Sequence, residues 1–185
     1  MRKVIYAINV SLDGCFDHTI GAPDDEAFEY YIQLLRDADL LVYGRKTYEW
    51  MDPYWPDVAK NPSETKADRE FGETFVSKNK IVFPRTLQSA EDKNARIVRT
   101  SLKDEILKLK REPGKNILVG GIDVPSQLIE LGLVDEYRFM VLPVIAGQGR
   151  RLLESISLQE KLRLKLVESR IFKSSGFVAL HYVKR

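Results

Sequence analysis

The chain has 185 residues and is 44% hydrophobic, 30% charged and 10% aromatic, enough to bury a sizeable core in a single domain spanning 1–185 without disulfides or a structural metal. Lys and Arg number 29 against 27 Asp and Glu, a formal charge of +2 mixed along the sequence, so no basic stripe points to nucleic acid. A single cysteine, Cys15, and two histidines, His18 and His181, exclude a disulfide framework and the common zinc spacings. Residues 1–14 contain only a short apolar run broken by Asn9, Ser11 and Asp13, which argues against a secretory leader or a membrane span and makes a cytoplasmic protein the expectation.

Val4 to Val10 reads as a buried strand between basic residues and the turn formers Ser11, Asp13 and Gly14. Asp24 or Asp25 can cap a helix whose Phe28, Tyr31, Ile32, Leu34 and Leu35 recur at helical spacing. Asp39 to Tyr43 is a second strand, and Gly44-Arg45-Lys46-Thr47 turns it into a brief helix marked by Tyr48, Trp50 and Met51. From Asp52 to Lys80 three prolines stand among polar residues, a pattern that predicts a partly helical excursion or lid. Lys80 to Phe83 returns as a strand that stops at Pro84.

Arg96 to Arg99 is a short strand, and Ser101 opens a helix that closes at Pro113-Gly114. Asn116 to Val119 is again a strand, Gly120-Gly121 again a turn, and Asp123 to Leu131 again a helix. After Asp135 the pattern changes to Tyr137 to Val144, Leu162 to Phe172 and Phe177 to Val183, strands that end the chain in a hairpin. The expected fold is α/β, three-layered, with a mixed, mostly parallel central sheet and a C-terminal antiparallel hairpin.

Two strand-Gly-helix elbows carry the chemical signal. In an open α/β sheet, ligands bind beyond the carboxyl ends of the strands, where helix N-termini present free N–H groups and positive dipole ends. Arg45 and Lys46 at the first elbow, with Arg85 and Thr86 beyond the strand ending at Phe83, add cations and a hydroxyl to that rim. The set describes a site for a multiply phosphorylated cofactor. Other phosphate and nucleophile templates fail: the chain has no GxxxxGK loop and no GxSxG elbow, and Gly147-Gln148-Gly149 lacks the third small residue of a Rossmann fingerprint.

Five motifs stand in register with a known family: Ser11-Leu12-Asp13-Gly14, Gly44-Arg45-Lys46-Thr47-Tyr48-Glu49, Val119-Gly120-Gly121, Gly132-Leu133-Val134-Asp135-Glu136, and the run from Pro143 to Leu152. On these the chain resembles the dihydrofolate reductase-like superfamily, closest to the reductase domain of bacterial riboflavin biosynthesis. The resemblance implies NADPH lying across the carboxyl ends of the strands. It places the nicotinamide near the backbone of Ala7 and Ile8, and the phosphates and adenosine end near Gly44, Arg45, Lys46 and Thr47. It sets Arg85 and Thr86 against the 2′-phosphate, Gly120 and Gly121 against the pyrophosphate, and matches Gly147 and Gly149 to a glycine-rich turn of the riboflavin-type reductases.

On the substrate side the resemblance points to Asp13, Asp52 and Glu26 as carboxylates that bind substrate or relay a proton, although no acid is cleanly in register on the first helix. It implies an NADPH-dependent reductase acting on a C=N or C=O bond of a small heterocycle, pterin-like or ribosylaminopyrimidine-like, and a homodimer. A member of the same fold that binds a nucleotide or pterin without turnover is the alternative. The bland readings stand beside these: Asp13-Gly14 as a simple turn, Asp52 as a loop start before a proline, and Glu26 as a residue favoured by its helix dipole.

Overall fold

A computed structural model describes residues 1–16, 23–84, 87, 89–154 and 156–185. Its parallel strands are β1 (Val4–Ser11), β2 (Ala38–Gly44), β3 (Asn79–Phe83), β4 (Ala95–Ile97), β5 (Asn116–Val119) and β6 (Glu136–Leu142), and the antiparallel strands β7 (Leu164–Ile171) and β8 (Val178–Lys184) complete one eight-stranded sheet. The strand order is β4-β3-β2-β5-β1-β6-β8-β7. Among the described residues five helices flank it: α1 (Asp25–Arg36), α2 (Arg45–Lys60), α3 (Lys66–Val76), α4 (Leu102–Arg111) and α5 (Asp123–Glu130). The mixed sheet with its terminal antiparallel pair is the architecture that the sequence pattern predicts.

Alternation along the central strands divides the core between two faces. On one, Tyr6, Ile8, Val42 and Val119 meet Ile106 and Leu109 of α4 and Val124 and Leu128 of α5. On the other, Ile5, Leu41 and Val82 meet Phe28, Ile32 and Leu35 of α1, Trp55 and Val58 of α2, and Phe71 and Phe75 of α3. A smaller cluster, Ala27 with Met140, Leu142, Phe172, Phe177 and Ala179, joins α1 to the terminal hairpin. Among the described residues no helix is long and apolar enough to cross a membrane.

The stretch expected to be a partly helical excursion or lid is helical and part of this core. α2 continues for 16 residues through Pro53 and Pro56 to Lys60, although each proline forfeits a helical hydrogen bond. Burial of Trp55 and Val58 offsets the loss. α3 follows, capped by Thr65 Oγ1, which accepts from the Asp68 N–H at 3.1 Å, and it lies close against α2 because residue 72 is glycine. A Cβ there would come within 2.9 Å of the Trp55 carbonyl oxygen. Smaller differences have local causes: β6 ends at Leu142 because Pro143 has no N–H to donate, and the Val144 N–H turns back to the Leu142 carbonyl at 2.8 Å.

Phe75 is fully buried and stacks on Tyr43 and Phe71. Phe75→Ala should therefore cost about 3–5 kcal/mol in urea unfolding, the range for truncating a core aromatic. A loss under about 1 kcal/mol, the scale of a surface change, would show that α3 is a loosely held cover.

Candidate functional site at the carboxyl ends of the strands

β5 is shorter than both its neighbours at their carboxyl ends. Its last pairing is Val119 with Tyr6 on one side and with Val42 on the other, while β1 runs on to Ser11 and β2 to Gly44. Two strand spacings separate β1 from β2, so the resulting notch is roughly 9.5 Å across. The chain leaves β2 for α2 on one face and β5 for α5 on the other. This divergence is the topological switch point at which open α/β sheets bind ligands.

Backbone direction decides what β1 offers to the notch. The Lys3 carbonyl accepts from Ile117 of β5, and the Val4 carbonyl accepts from Asp135 on the β6 side. Odd-numbered residues of β1 thus face β5 and even-numbered ones face β6. Beyond Tyr6 the carbonyl of Ala7 points into the notch with no strand partner, whereas the backbone of Ile8 is directed to the β6 ladder. Of the two residues expected beside a nicotinamide, Ala7 is the one whose backbone faces the notch.

The two elbows meet above Val119. Gly121 adopts φ +84°, and a Cβ there would collide with Thr47 Oγ1, while a Cβ at Gly120 would come within 2.9 Å of Tyr43 Cε1. Glycine is required at 121 on both counts. The Tyr6 hydroxyl, deep in the core, donates to the Gly121 carbonyl at 3.0 Å and fixes the turn from below. Burial holds that phenol far above its ordinary pKa, so it remains a donor.

Helix capping singles out the same place. Asp24, Thr65 and Ser101 cap α1, α3 and α4 through their side chains, but α2 and α5 begin at Gly44 and Ile122 with no side-chain cap. α2 is also the one described helix with no acid in its first turn, which carries Arg45 and Lys46 instead. Cations at a helix N-terminus oppose the macrodipole, and the arrangement is relieved by a bound anion. Arg45 meanwhile pairs with Glu49 at 2.7 Å on the helix surface. Arg85 and Thr86 lie outside the described residues.

The three expected carboxylates each have partners within the protein. Asp13 sits at the rim, but as a clamp. Its oxygens accept from Ser11 Oγ at 2.6 Å, Ala146 N at 3.0 Å and Gly147 N at 2.9 Å. The Ser11 hydroxyl and these backbone donors hold the carboxyl far below its usual pKa, so it has no proton to give near neutral pH. The clamp secures the turn containing Gly147 (φ +73°) and Gly149 (φ +122°) to the end of β1, helped by Leu12 N donating to the Val144 carbonyl at 2.8 Å. Arg150 then ties that turn to Asp123 of α5 at 3.2 Å.

Asp52 is not in a loop. It lies two turns inside α2, where Oδ1 is 3.7 Å from Lys80 Nζ, an ion-pair distance too long for a hydrogen bond, and among the described residues that oxygen has no hydrogen-bond partner. Lys80 is 1% exposed and bonds Asp92 at 2.6 Å. Desolvation raises the Asp52 carboxyl, against the lowering influence of Tyr48 and Lys80. Glu26 is turned toward the terminal hairpin, where it pairs with Arg170 of β7 at 3.0 Å, three strands from β1.

A polar pair missed in the sequence stands nearer the notch. The Tyr31 hydroxyl of α1 donates to Asn9 Oδ1 of β1, two residues beyond Ala7 and on the face opposite α5. Asn9 is visible in the sequence only as an interruption of an apolar strand, and Tyr31 only as part of a helical apolar stripe. Once the Oδ1 is occupied, the Asn9 amide nitrogen is left as a donor.

The Asp13 clamp has a pH signature. Its pKa is lower folded than unfolded, so its contribution to stability is present above the unfolded value of about 3.9 and is lost as pH falls through the folded value. Asp13→Asn should lower the thermal midpoint at neutral pH, and the gap to wild type should close below about pH 4, near the unfolded carboxyl pKa. A gap that stays constant to lower pH would mean that the carboxylate charge plays no part.

Comparison with known proteins agrees with this fold. The RibD C-terminal domain family matches residues 2–175. Two Bacillus subtilis (strain 168) proteins are similar over nearly their full lengths: the uncharacterized YyaP, 35% identical over 98% of this chain and 94% of YyaP, and the uncharacterized YwjB, 27% identical over 99% and 98%. Among solved structures, a putative riboflavin biosynthesis protein from Shewanella sp. PV-4 superposes with a TM-score of 0.73 at 19% identity, over 99% of both chains. The diaminohydroxyphosphoribosylaminopyrimidine deaminase/5-amino-6-(5-phosphoribosylamino)uracil reductase of Thermotoga maritima gives 0.69 at 16% identity, over all of this chain and 57% of that one. With the notch, the paired elbows and a family match over nearly the whole sequence, this chain belongs to the RibD C-terminal domain family.

Proposed function

We propose that the protein is a reductase that uses NADPH to reduce a C=N or C=O bond of a small heterocycle, pterin-like or ribosylaminopyrimidine-like. The observation that carries this reading is that the two helices opening beside the notch are the two without side-chain caps, and that one of them begins with Arg45 and Lys46. A dinucleotide pyrophosphate would meet the free N–H groups of both termini and supply the anion that α2 lacks, and Gly121 keeps the shared turn clear of side chains. The family and the uracil reductase named for Thermotoga maritima support the reaction class and the heterocyclic substrate.

The cofactor would contribute the hydride, and the protein's part is positioning. Ala7 presents a carbonyl to an amide donor at the bottom of the notch. Asn9, oriented by Tyr31, presents an amide donor to a heteroatom of the substrate on the α1 side. Asp13 holds the Gly147 turn over β1, narrowing access of water from the β6 side. Asp13, Asp52 and Glu26 each hold protein partners, so a carboxylate that bound substrate or relayed a proton would have to share or release one. That same observation favours the second reading, a nucleotide-binding member without turnover; loss of NADPH absorbance with a panel of pterins, ribitylaminopyrimidines and simple carbonyls separates the two.

Cofactor selectivity follows from charge. NADPH and NADH differ by one 2′-phosphate, and an arginine contact to it is worth roughly 1.5–3 kcal/mol. NADPH should raise the thermal midpoint, with about 2.7 kcal/mol of stabilisation at 100 times Kd. Arg45→Ala should narrow the NADPH-to-NADH affinity ratio by about ten- to a hundredfold, whereas Gly121→Ala should weaken both cofactors alike through the pyrophosphate they share. Dissociation constants for both cofactors against the two variants test the map: equal weakening of both by Arg45→Ala places the 2′-phosphate elsewhere, and no thermal shift at millimolar NADPH removes the cofactor assignment.

A further inference from the structure

α2 carries its buried side chains, Tyr48, Asp52, Trp55 and Val58, on one side and the charged Lys46, Glu49, Asp57 and Lys60 on the exposed side. Two large aromatic residues break that division. Trp50 is 46% exposed and Tyr54 52% exposed, and they lie one turn apart with ring planes within 6° of parallel and centroids 6.4 Å apart. Tyr54 also meets Trp55 edge-on at 5.0 Å, and Trp55 is packed against Phe28 of α1 and Phe71 of α3. The exposed pair is therefore anchored to the core through Tyr54.

Helix geometry decides which way the pair faces. β2 lies between β3 and β5 in the sheet, and α2 touches both sides: Asp52 reaches toward Lys80 of β3, whereas Thr47 stands against Gly121 beyond β5. These two positions are about 140° apart round the helix. Thr47, Trp50, Met51 and Tyr54 follow one another at i, i+3, i+4 and i+7, the spacing of a single helix face, so the aromatic pair continues the Thr47 side. It extends about 10 Å along α2 from the notch. α1, whose Tyr31 bonds Asn9, packs on the same part of α2 through Phe28 and Trp55.

We infer that Trp50 and Tyr54 are a stacking platform for the substrate, and that they select a flat conjugated ring over an open-chain carbonyl compound. The inference rests on the reductase reading of the notch and narrows its substrate to heteroaromatic rings. Size argues for such an occupant, because two side chains are far too small a patch for a protein partner. Geometry argues for it as well. Aromatic rings stack with an offset at centroid separations of about 4.5–7 Å, and the pair already stands in that arrangement, so another flat ring extends a stack that is in place. Trp and Tyr each have only two side-chain torsions, which keeps the entropy lost on stacking small. An open-chain carbonyl compound has no ring face to offer and gains little from the same surface.

Calorimetric titration with biopterin, with and without saturating NADP⁺, tests the inference. Wild type should bind biopterin. Trp50→Leu and Tyr54→Leu keep an apolar side chain but lose the ring, and each should weaken binding by roughly five- to a hundredfold, the range for removing one aromatic partner from a stacked base. Trp50→Phe and Tyr54→Phe restore a ring and should recover most of the affinity. NADP⁺ should bind all four variants as it binds wild type, which also shows that they are folded. If NADP⁺ fails to bind wild type, the reductase reading falls and the platform is judged by biopterin alone. Absence of biopterin binding by wild type overturns the inference. So does binding that is indifferent to both leucine variants, or that the phenylalanine variants fail to recover.

Discussion

The contact between Gly121 and Thr47 is the constraint on which the candidate site depends. β5 stops at Val119 while β1 runs on to Ser11 and β2 to Gly44, and the chain must then leave for α5 across the start of α2. With φ +84° and no space for a Cβ, position 121 lets the two elbows touch. Their helices therefore begin side by side, both with N–H groups that no side chain caps. Separated elbows would give two weak anion sites; in the proposed reading the apposed ones serve a pyrophosphate together, with the notch beside them.

Around this contact the remaining rim is arranged by charge. Asp13 spends its carboxylate on backbone N–H groups of the Ala146-Gly147 turn, and Arg150 carries the same turn across to Asp123 of α5. The loop after β6 is thus tied both to the end of β1 and to the start of α5, the two sides of the notch away from α2. A similar division of labour operates in the interior. Lys80, Asp92 and Asp52 form a buried ionic group that fastens the segment before β4 to β3 and α2. Such groups are costly to desolvate and are destructive to break one partner at a time, which suits a role in fixing position.

Much of the fold was legible because the signals are local. Glycine turns after apolar runs located both elbows, caps such as Asp24 and Ser101 located helix starts, and alternation located the terminal hairpin. The stretch after Asp52 was legible only as a partly helical excursion or lid, because Pro53 and Pro56 are breakers by local rules, and the burial that overrides them, Trp55 and Val58 against α1 and α3, is tertiary. Side-chain roles were less legible for the same reason. Asp13, Asp52 and Glu26 have the right chemistry for catalysis, but a sequence does not show that backbone donors, a buried lysine and Arg170 have already claimed them. Asn9 and Tyr31 come together only when α1 packs on β1.

The central claim is that the uncapped starts of α2 and α5 form one anion site. Backbone amide chemical shifts recorded by nuclear magnetic resonance during titration with NADP⁺ address it residue by residue. The account predicts that the largest perturbations fall together, with one dissociation constant, on the amides from Gly44 to Thr47 and from Gly120 to Asp123, while the capped starts of α1 and α4 stay unchanged. Perturbations confined to one elbow, or centred away from both, would contradict it.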